Sequence, residues 1–306
     1  MLRRLRISDS RLVESDDTNG QIRIYVSPDE SERRHLIDVW KLDEHTLSSS
    51  LDPDELSRLE FEPEHVAIIF KRPKNYSSED NFVFKVASTG LFLFKDRLII
   101  VMADDAALFE GKQFAKVTSL QDVILKLIYR SIFHFEEHLK VINMISGELE
   151  TEINTAMENK HLLNLFTLEK SLVYYLNAIN SNGRLIEKMK NNPAKLAFTP
   201  ENLEFIDDIL IENTQCNEQA NIYSQVLSSL MDARVSIVSN NLNLLMKTLT
   251  LIMIAIMTPT LVISIFSMNV ALPLDQDHTI ASFWIILGLA TASVVAVYWL
   301  WKYKKW

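Results

Sequence analysis

Two uncharged runs near one end constrain this chain more than any other feature. "TLTLIMIAIMTPTLVISIF" fills Thr248 to Phe266 and "TIASFWIILGLATASVVAVYWLW" fills Thr279 to Trp301, and neither holds an Asp, Glu, Lys or Arg. As a helix the first would reach ~28 Å, close to the thickness of a hydrocarbon core. The second carries Trp284, Tyr298, Trp299 and Trp301 near its ends, the aromatic belt of a headgroup region. Both are predicted transmembrane helices. Lys247 precedes the first, Lys302, Lys304 and Lys305 follow the second, and "ALPLDQDH" between them has two acids and no Lys or Arg. The positive-inside rule therefore predicts a multi-pass protein of the cell membrane with both termini cytoplasmic. Asp275 and Asp277 would then lie at the outer mouth, where they would attract cations.

The rest of the chain is of a different kind, rich in Asp, Glu, Lys and Arg up to about residue 245. A net charge of −9 argues against a nucleic-acid binder, which needs a basic surface against phosphates. One cysteine, Cys216, allows no intrachain disulfide, fits a reducing compartment and reads as a buried thiol. "MLRRLRISDS" has positive charge but no apolar stretch behind it, so no secretory leader is expected. With six Gly and no phosphate-cradling loop, ATP-driven work is not expected either.

Strand-like runs lie at "QIRIYV" (21–26), "HVAIIFK" (65–71), "NFVFKVAS" (81–88) and "GLFLFKDRLIIVM" (90–102), with a turn at Lys95-Asp96. Helices are predicted at "ESERRHLIDVW" (30–40) and "DPDELSRLE" (52–60), the latter with Pro53 in its first turn. Residues 1–117 thus read as a cytoplasmic α+β domain, followed by long stalk helices and the two transmembrane α-helices. Residues 118–198 read as an amphipathic helical hairpin that breaks at Asn191-Asn192-Pro193. Thr199 and Pro200 then supply a cap and a first-turn proline for a new helix. That helix meets no strong breaker until Pro259. It divides into a stalk over 199–245 and a first span over 246–269, followed by an outer loop (270–278), the second span and a basic tail (302–306).

Stepping along this helix at alternating intervals of three and four picks out one edge. It runs from Asp208, Ile211, Gln215, Glu218, Ile222, Gln225, Ser229 and Asp232 through Ser236, Ser239, Asn243 and Met246. It continues inside the bilayer with Thr250, Met253, Met257, Thr260 and Ser264. A dry bundle would place Leu and Ile on such a seam; carboxylates, amides, hydroxyls and thioethers dominate here. The polar groups could bond across to neighbouring helices. Alternatively the edge faces a water-filled axis shared by several copies. Asp232 and Asn243, in register but outside the membrane, favour the wet axis. One chain with two spans cannot enclose a channel, so that reading requires a homo-oligomer.

The stretch from Asn243 to Asn269, "NLLMKTLTLIMIAIMTPTLVISIFSMN", resembles the pore helix of the CorA family of divalent-cation channels. The match is strongest at Asn243-x-x-Met246-Lys247-x-Leu249-Thr250, then a Pro and a Met-Asn pair, and "LDPDELSRLE" (51–60) resembles part of the family's soluble domain. The resemblance implies a funnel-shaped homopentamer that conducts Mg²⁺, often also Co²⁺ or Ni²⁺, with Mg²⁺ both cargo and regulator. It implies a ring of Asn269 amide oxygens at the outer mouth, suited to a hydrated Mg²⁺. It further implies a hydrophobic constriction at Met246, Leu249 and Met257, oxygens from Asn243 and Asp232 below it, and a regulatory carboxylate at Asp208. Ser267-Met268-Asn269 stands where the family has Gly-Met-Asn, and the proline is displaced by one position to Pro259. Gly has a freedom at a helix end that Ser lacks, so a Zn²⁺ or other cation transporter of the same architecture stays open. So does a non-conducting membrane-anchored signalling or scaffold protein. "HFEEH" (134–138) matches an inverted zinc-protease pattern, but it lies in an amphipathic helix without a third ligand segment. A surface or inter-helix histidine pair is the plainer reading, and no enzyme is expected.

Overall fold

The computed structural model describes residues 2–15, 20–106, 108–155, 159–268 and 279–304. They form two units, Met1–Met231 and Asp232–Trp306.

The first unit is built on a seven-stranded sheet of β1 (Leu2–Ser8), β2 (Arg11–Glu14), β3 (Ile22–Val26), β4 (Arg58–Phe61), β5 (Val66–Pro73), β6 (Val86–Leu93) and β7 (Leu98–Met102). The spatial order is β2-β1-β3-β7-β6-β5-β4, with β3 and β7 parallel and the other neighbours antiparallel. Period-two alternation sends Ile22, Ile24, Leu98, Ile100 and Met102 to the larger core, and Tyr25, Ile99 and Val101 to the other face. Helices α1 (Glu30–Asp38) and α2 (Glu44–Ser49) supply Leu36 and Leu47 to that second face. Because both faces are covered, the central strands are nearly continuous apolar runs.

Two expectations are overturned. Residues 52–60 are not a helix: a turn leads into β4 at Arg58. The backbone there is bonded to distant groups, with the Pro53 carbonyl accepting from Lys71 Nζ at 2.8 Å and the Ser57 N–H donating to Ser181 Oγ at 2.6 Å. The helix lies earlier, at α2, whose Asp43 cap accepts from the Thr46 N–H. The strand expected over 81–88 begins only at Val86, because Asn81 and Phe82 adopt φ of 49° and 66°.

Behind the larger core lie α3 (Leu120–Thr155) and α4 (Asn159–Lys190). They bury Ile128, Ile132, Phe135 and Leu139 from one and Leu168, Leu172, Tyr175 and Ile179 from the other, at helical spacing. Asn182 of α4 takes the place of a missing strand. β4 stops with Arg58 opposite Ile69, while β5 continues to Pro73. Past that point Asn182 Oδ1 accepts the Lys71 N–H and its Nδ2 donates to the Lys71 carbonyl, each at 2.8 Å.

After the short α5 (Pro193–Leu196), α6 runs from Pro200 to Phe266, 67 residues. Thr199 Oγ1 accepts the Asn202 N–H, and Asn202 Oδ1 accepts that of Thr199. In the first unit α6 buries Ile206, Ile209, Asn213, Cys216, Ala220 and Leu227. Asn213 Nδ2 reaches the Ile179 carbonyl at 3.2 Å beside Gly183, where a Cβ would meet that nitrogen at 2.9 Å. The second unit holds the rest of α6 and α7 (Thr279–Lys304), each with a stretch long and apolar enough to cross a membrane.

Candidate functional site

The edge picked out by three-and-four spacing is uncovered at every position. In the first unit Asp208, Ile211, Gln215, Glu218, Ile222, Gln225 and Ser229 are all exposed, while the opposite face of α6 enters the core. In the second unit Asp232, Ser236, Ser239, Asn243, Met246, Thr250, Met253, Met257, Thr260 and Ser264 are exposed as well. Leu249, flanking this edge, is exposed too.

Within the span, α6 is partly covered at Leu251, Ala255, Thr258, Pro259, Val262 and Phe266. On α7 the covered positions are Ser282, Ile286, Ala290, Ser293 and Val297, of which Ala290 is buried. The spacing of each set is that of one helix face, and the described part of this unit contains only these two helices, so each covers the other. At 3.6 residues per turn the hydrophilic edge falls on the opposite side of α6 from its α7 face. Bonding to the chain's own second span is therefore not what the edge is for.

The hydroxyls on the edge are partly used already. Thr250 Oγ1 donates to the Met246 carbonyl at 2.8 Å and Thr260 Oγ1 to that of Ile256 at 2.7 Å. Thr248 and Thr258, off the edge, do the same with Leu244 and Ile254, so the bond is a local habit of threonine in a helix. With the proton so used, lone pairs remain, and such oxygens accept from water or from a hydrated cation. At the end of α6 the Ser267 N–H bonds the Ile263 carbonyl at 3.1 Å and Ser267 Oγ donates to that of Ser264 at 2.9 Å. Neither Ser267 nor Met268 has a positive φ, so the helix ends here without a glycine conformation. Asn269 and the loop 270–278 lie outside the described residues.

Asp208 opens into a groove of about 380 Å³ between α3 and α6, lined also by Lys126, Tyr129, Phe205 and Glu212. Lys126 is paired with Asp122 at 2.9 Å. Burial raises the Glu136 carboxyl above its ordinary range, and Glu212 raises it further. Burial likewise raises the Tyr129 hydroxyl, reinforced by Glu212, Glu136 and Asp208. The groove is thus a negatively charged place. Sequence spacing does not single out Glu136 or Glu212, although Glu212 stands one helical turn after Asp208. Among the described residues no three of His, Cys, Asp and Glu gather as a metal-holding group. Asp232 and Asn243 are ~16 Å apart along α6 and do not converge.

The histidine pair is structural in its surroundings. His134 and His138 lie with ring centroids 4.4 Å apart, and His138 Nδ1 is 2.6 Å from the Tyr175 hydroxyl. Burial pushes both imidazoles down to about 4. Glu137 accepts from Arg130 at 3.1 Å. Cys216 is fully buried and its thiol is pushed up to about 12, mainly by burial.

A family model described as CorA-like Mg²⁺ transporter protein matches residues 24–303. The cobalt/magnesium transport protein CorA of Methanocaldococcus jannaschii is 22% identical over 278 residues, 85% of this chain and 83% of that one. Among solved structures, the complete CorA magnesium transporter of that organism superposes with a TM-score of 0.82 at 18% identity, covering 99% of this chain and 97% of that one. The full-length CmaX protein gives 0.73 at 14% identity, covering 100% and 97%. The ZntB cytoplasmic domain from Vibrio parahaemolyticus gives 0.60 at 15% identity, covering 78% and 98%. At these identities the structural likeness is one of fold.

Proposed function

This chain belongs to the CorA-like Mg²⁺ transporter family, and from that premise we propose that it forms a homopentameric channel for Mg²⁺ influx down the electrochemical gradient. The observation that carries the reading is the uncovered hydrophilic edge of α6, set away from the face that α7 covers. Copies arranged around an axis would bring these edges together and enclose water. Residues 1–117 form the cytoplasmic α+β domain, 118–198 the hairpin, 199–245 the stalk and 246–269 the pore-lining span. Both termini lie in the cytoplasm.

In this arrangement Asn269 forms the outer amide ring, and hydrated Mg²⁺ is held through its waters. Met246, Leu249 and Met257 form the constriction that closes by dewetting. Thr250, Met253, Thr260 and Ser264 line the wall between, with Asn243 and Asp232 giving oxygens on the cytoplasmic side. Asp208 is the regulatory carboxylate: bound Mg²⁺ would offset the repulsion of the acidic groove and hold the assembly closed. Ser267 in place of the family's Gly makes Zn²⁺ the cation to compare.

Flux into proteoliposomes across Mg²⁺, Co²⁺, Ni²⁺ and Zn²⁺ tests the reading. Mg²⁺ entry without ATP, weakened by Asn269→Ala, is expected. Asp208→Ala should lessen inhibition by internal Mg²⁺. A stable oligomer that passes no divalent cation would instead identify a scaffold.

A further inference from the structure

An open groove lies between α4 and the segment that joins β5 to β6, and none of its residues belongs to the proposed ion pathway. Its volume is about 480 Å³, within the ordinary range of small-molecule sites. Phe84 contributes to its lining and is itself fixed: it is 1% exposed, its ring stacks on Tyr76 at 4.0 Å, and its N–H donates to Ser171 Oγ. From α4 come Phe166 and Tyr174, 55% and 49% exposed, aromatic surface left uncovered at the groove. They stand about two helical turns apart with Lys170 between them.

The charges in the groove are mostly of one sign. Lys74, Lys85 and Lys170 line it against one acid, Asp54. Lys85 is also 4.0 Å from Asp80, which lies outside the lining, and counting that pair the three ammonium groups still leave an excess of one positive charge. A single carboxylate would balance that excess. Aromatic walls favour a flat apolar body by edge and face contact.

We propose that this groove binds a small organic monoanion, an aromatic carboxylate, with its ring against Phe166 and Tyr174 over Phe84 and its carboxylate among Lys74, Lys85 and Lys170. The site does not depend on the transport reading.

The test is a fluorescence titration with 2-naphthoate, using the full chain in nanodiscs against empty nanodiscs. The neutral 2-naphthylmethanol and the dianionic 2-naphthyl phosphate run beside it. Saturable naphthoate binding is expected, at least tenfold tighter than the alcohol and weakened at least tenfold by Lys170→Glu. Lys170→Met, which keeps the apolar stem, should weaken it less, and unchanged melting of both variants would place the loss in the groove. Equal binding by empty nanodiscs, equal affinity for the alcohol, or no effect of Lys170→Glu would overturn the proposal. Tighter binding of the phosphate would overturn the assignment to a carboxylate.

Discussion

Replacing Asn182 by alanine should cost the first unit much of its stability without touching any residue of the proposed pathway. Asn182 is fully buried and makes three bonds at 2.8 Å, two with the Lys71 peptide and one accepted from Ser57 Oγ. The variant leaves the Lys71 N–H with no partner in a dry place, at about 1–3 kcal/mol. The Lys71 carbonyl keeps Ser131 Oγ, 2.7 Å away, so that loss is nearer ~1 kcal/mol, and the Ser57 bond adds a similar amount. Together these come to about 3–5 kcal/mol, a large share of an ordinary domain's stability. For a unit of this size the melting midpoint should fall by at least about 6 °C. Near-ultraviolet circular dichroism of the full chain in detergent would follow it. Ser131→Ala, which leaves Asn182 in place, should cost only about 1 kcal/mol. If Asn182→Ala melted within about 2 °C of wild type, or if Ser131→Ala cost as much as it does, the idea that Asn182 stands in for a strand would fail.

Lys71 is pushed down to about 8, chiefly by burial. Its folded form sheds a proton that the unfolded chain keeps up to the ordinary lysine range, so its contribution to stability should rise as pH rises from about 8 to about 10.5. Equilibrium melts should show that rise lost in Lys71→Met. Cys216, with its thiol at about 12, should stay unmodified by maleimide at about pH 7.5 in the folded chain and react once denatured; rapid labelling of the native protein would contradict its burial. Ser267→Gly removes the hydroxyl from the Ser264 carbonyl and should leave folding intact while shifting the Mg²⁺ to Co²⁺ flux ratio by more than twofold. An unchanged ratio would show that this position does not set ion preference.

The long elements are legible because their causes are local. The cap at Thr199 and Pro200, the breaker at Pro193 and the uncharged runs each act within a few residues, and α6 begins and ends where they indicate. The central strands are legible from burial on both faces. What escapes is decided at long range. Residues 52–60 carry helix-compatible residues, yet Lys71 and Ser181 take their backbone groups from elsewhere in the chain. β1 and β2 carry Arg3, Arg4, Arg6 and Arg11, whose charge masks the alternation of strands near the sheet's edge. The acids Glu136 and Glu212 meet only when α3 and α6 pack.

Sequence alone does not choose between polar residues that bond to a neighbouring helix and polar residues that face water, since both put hydroxyls and amides on one edge. The covered face decides part of that choice. α7 takes the side of α6 marked by Leu251, Ala255, Val262 and Phe266, and the threonine hydroxyls of the edge are already bonded to their own backbone. Within the span, Thr250 and Thr260 offer only acceptors, and two such sets of lone pairs gain nothing from each other. Facing lipid would strip water from the remaining lone pairs of Thr250 and Thr260 and from the Ser264 hydroxyl. In the proposed pore, water or hydrated cations would supply donors to such an edge, and a ring of copies would admit them while keeping the acyl chains away.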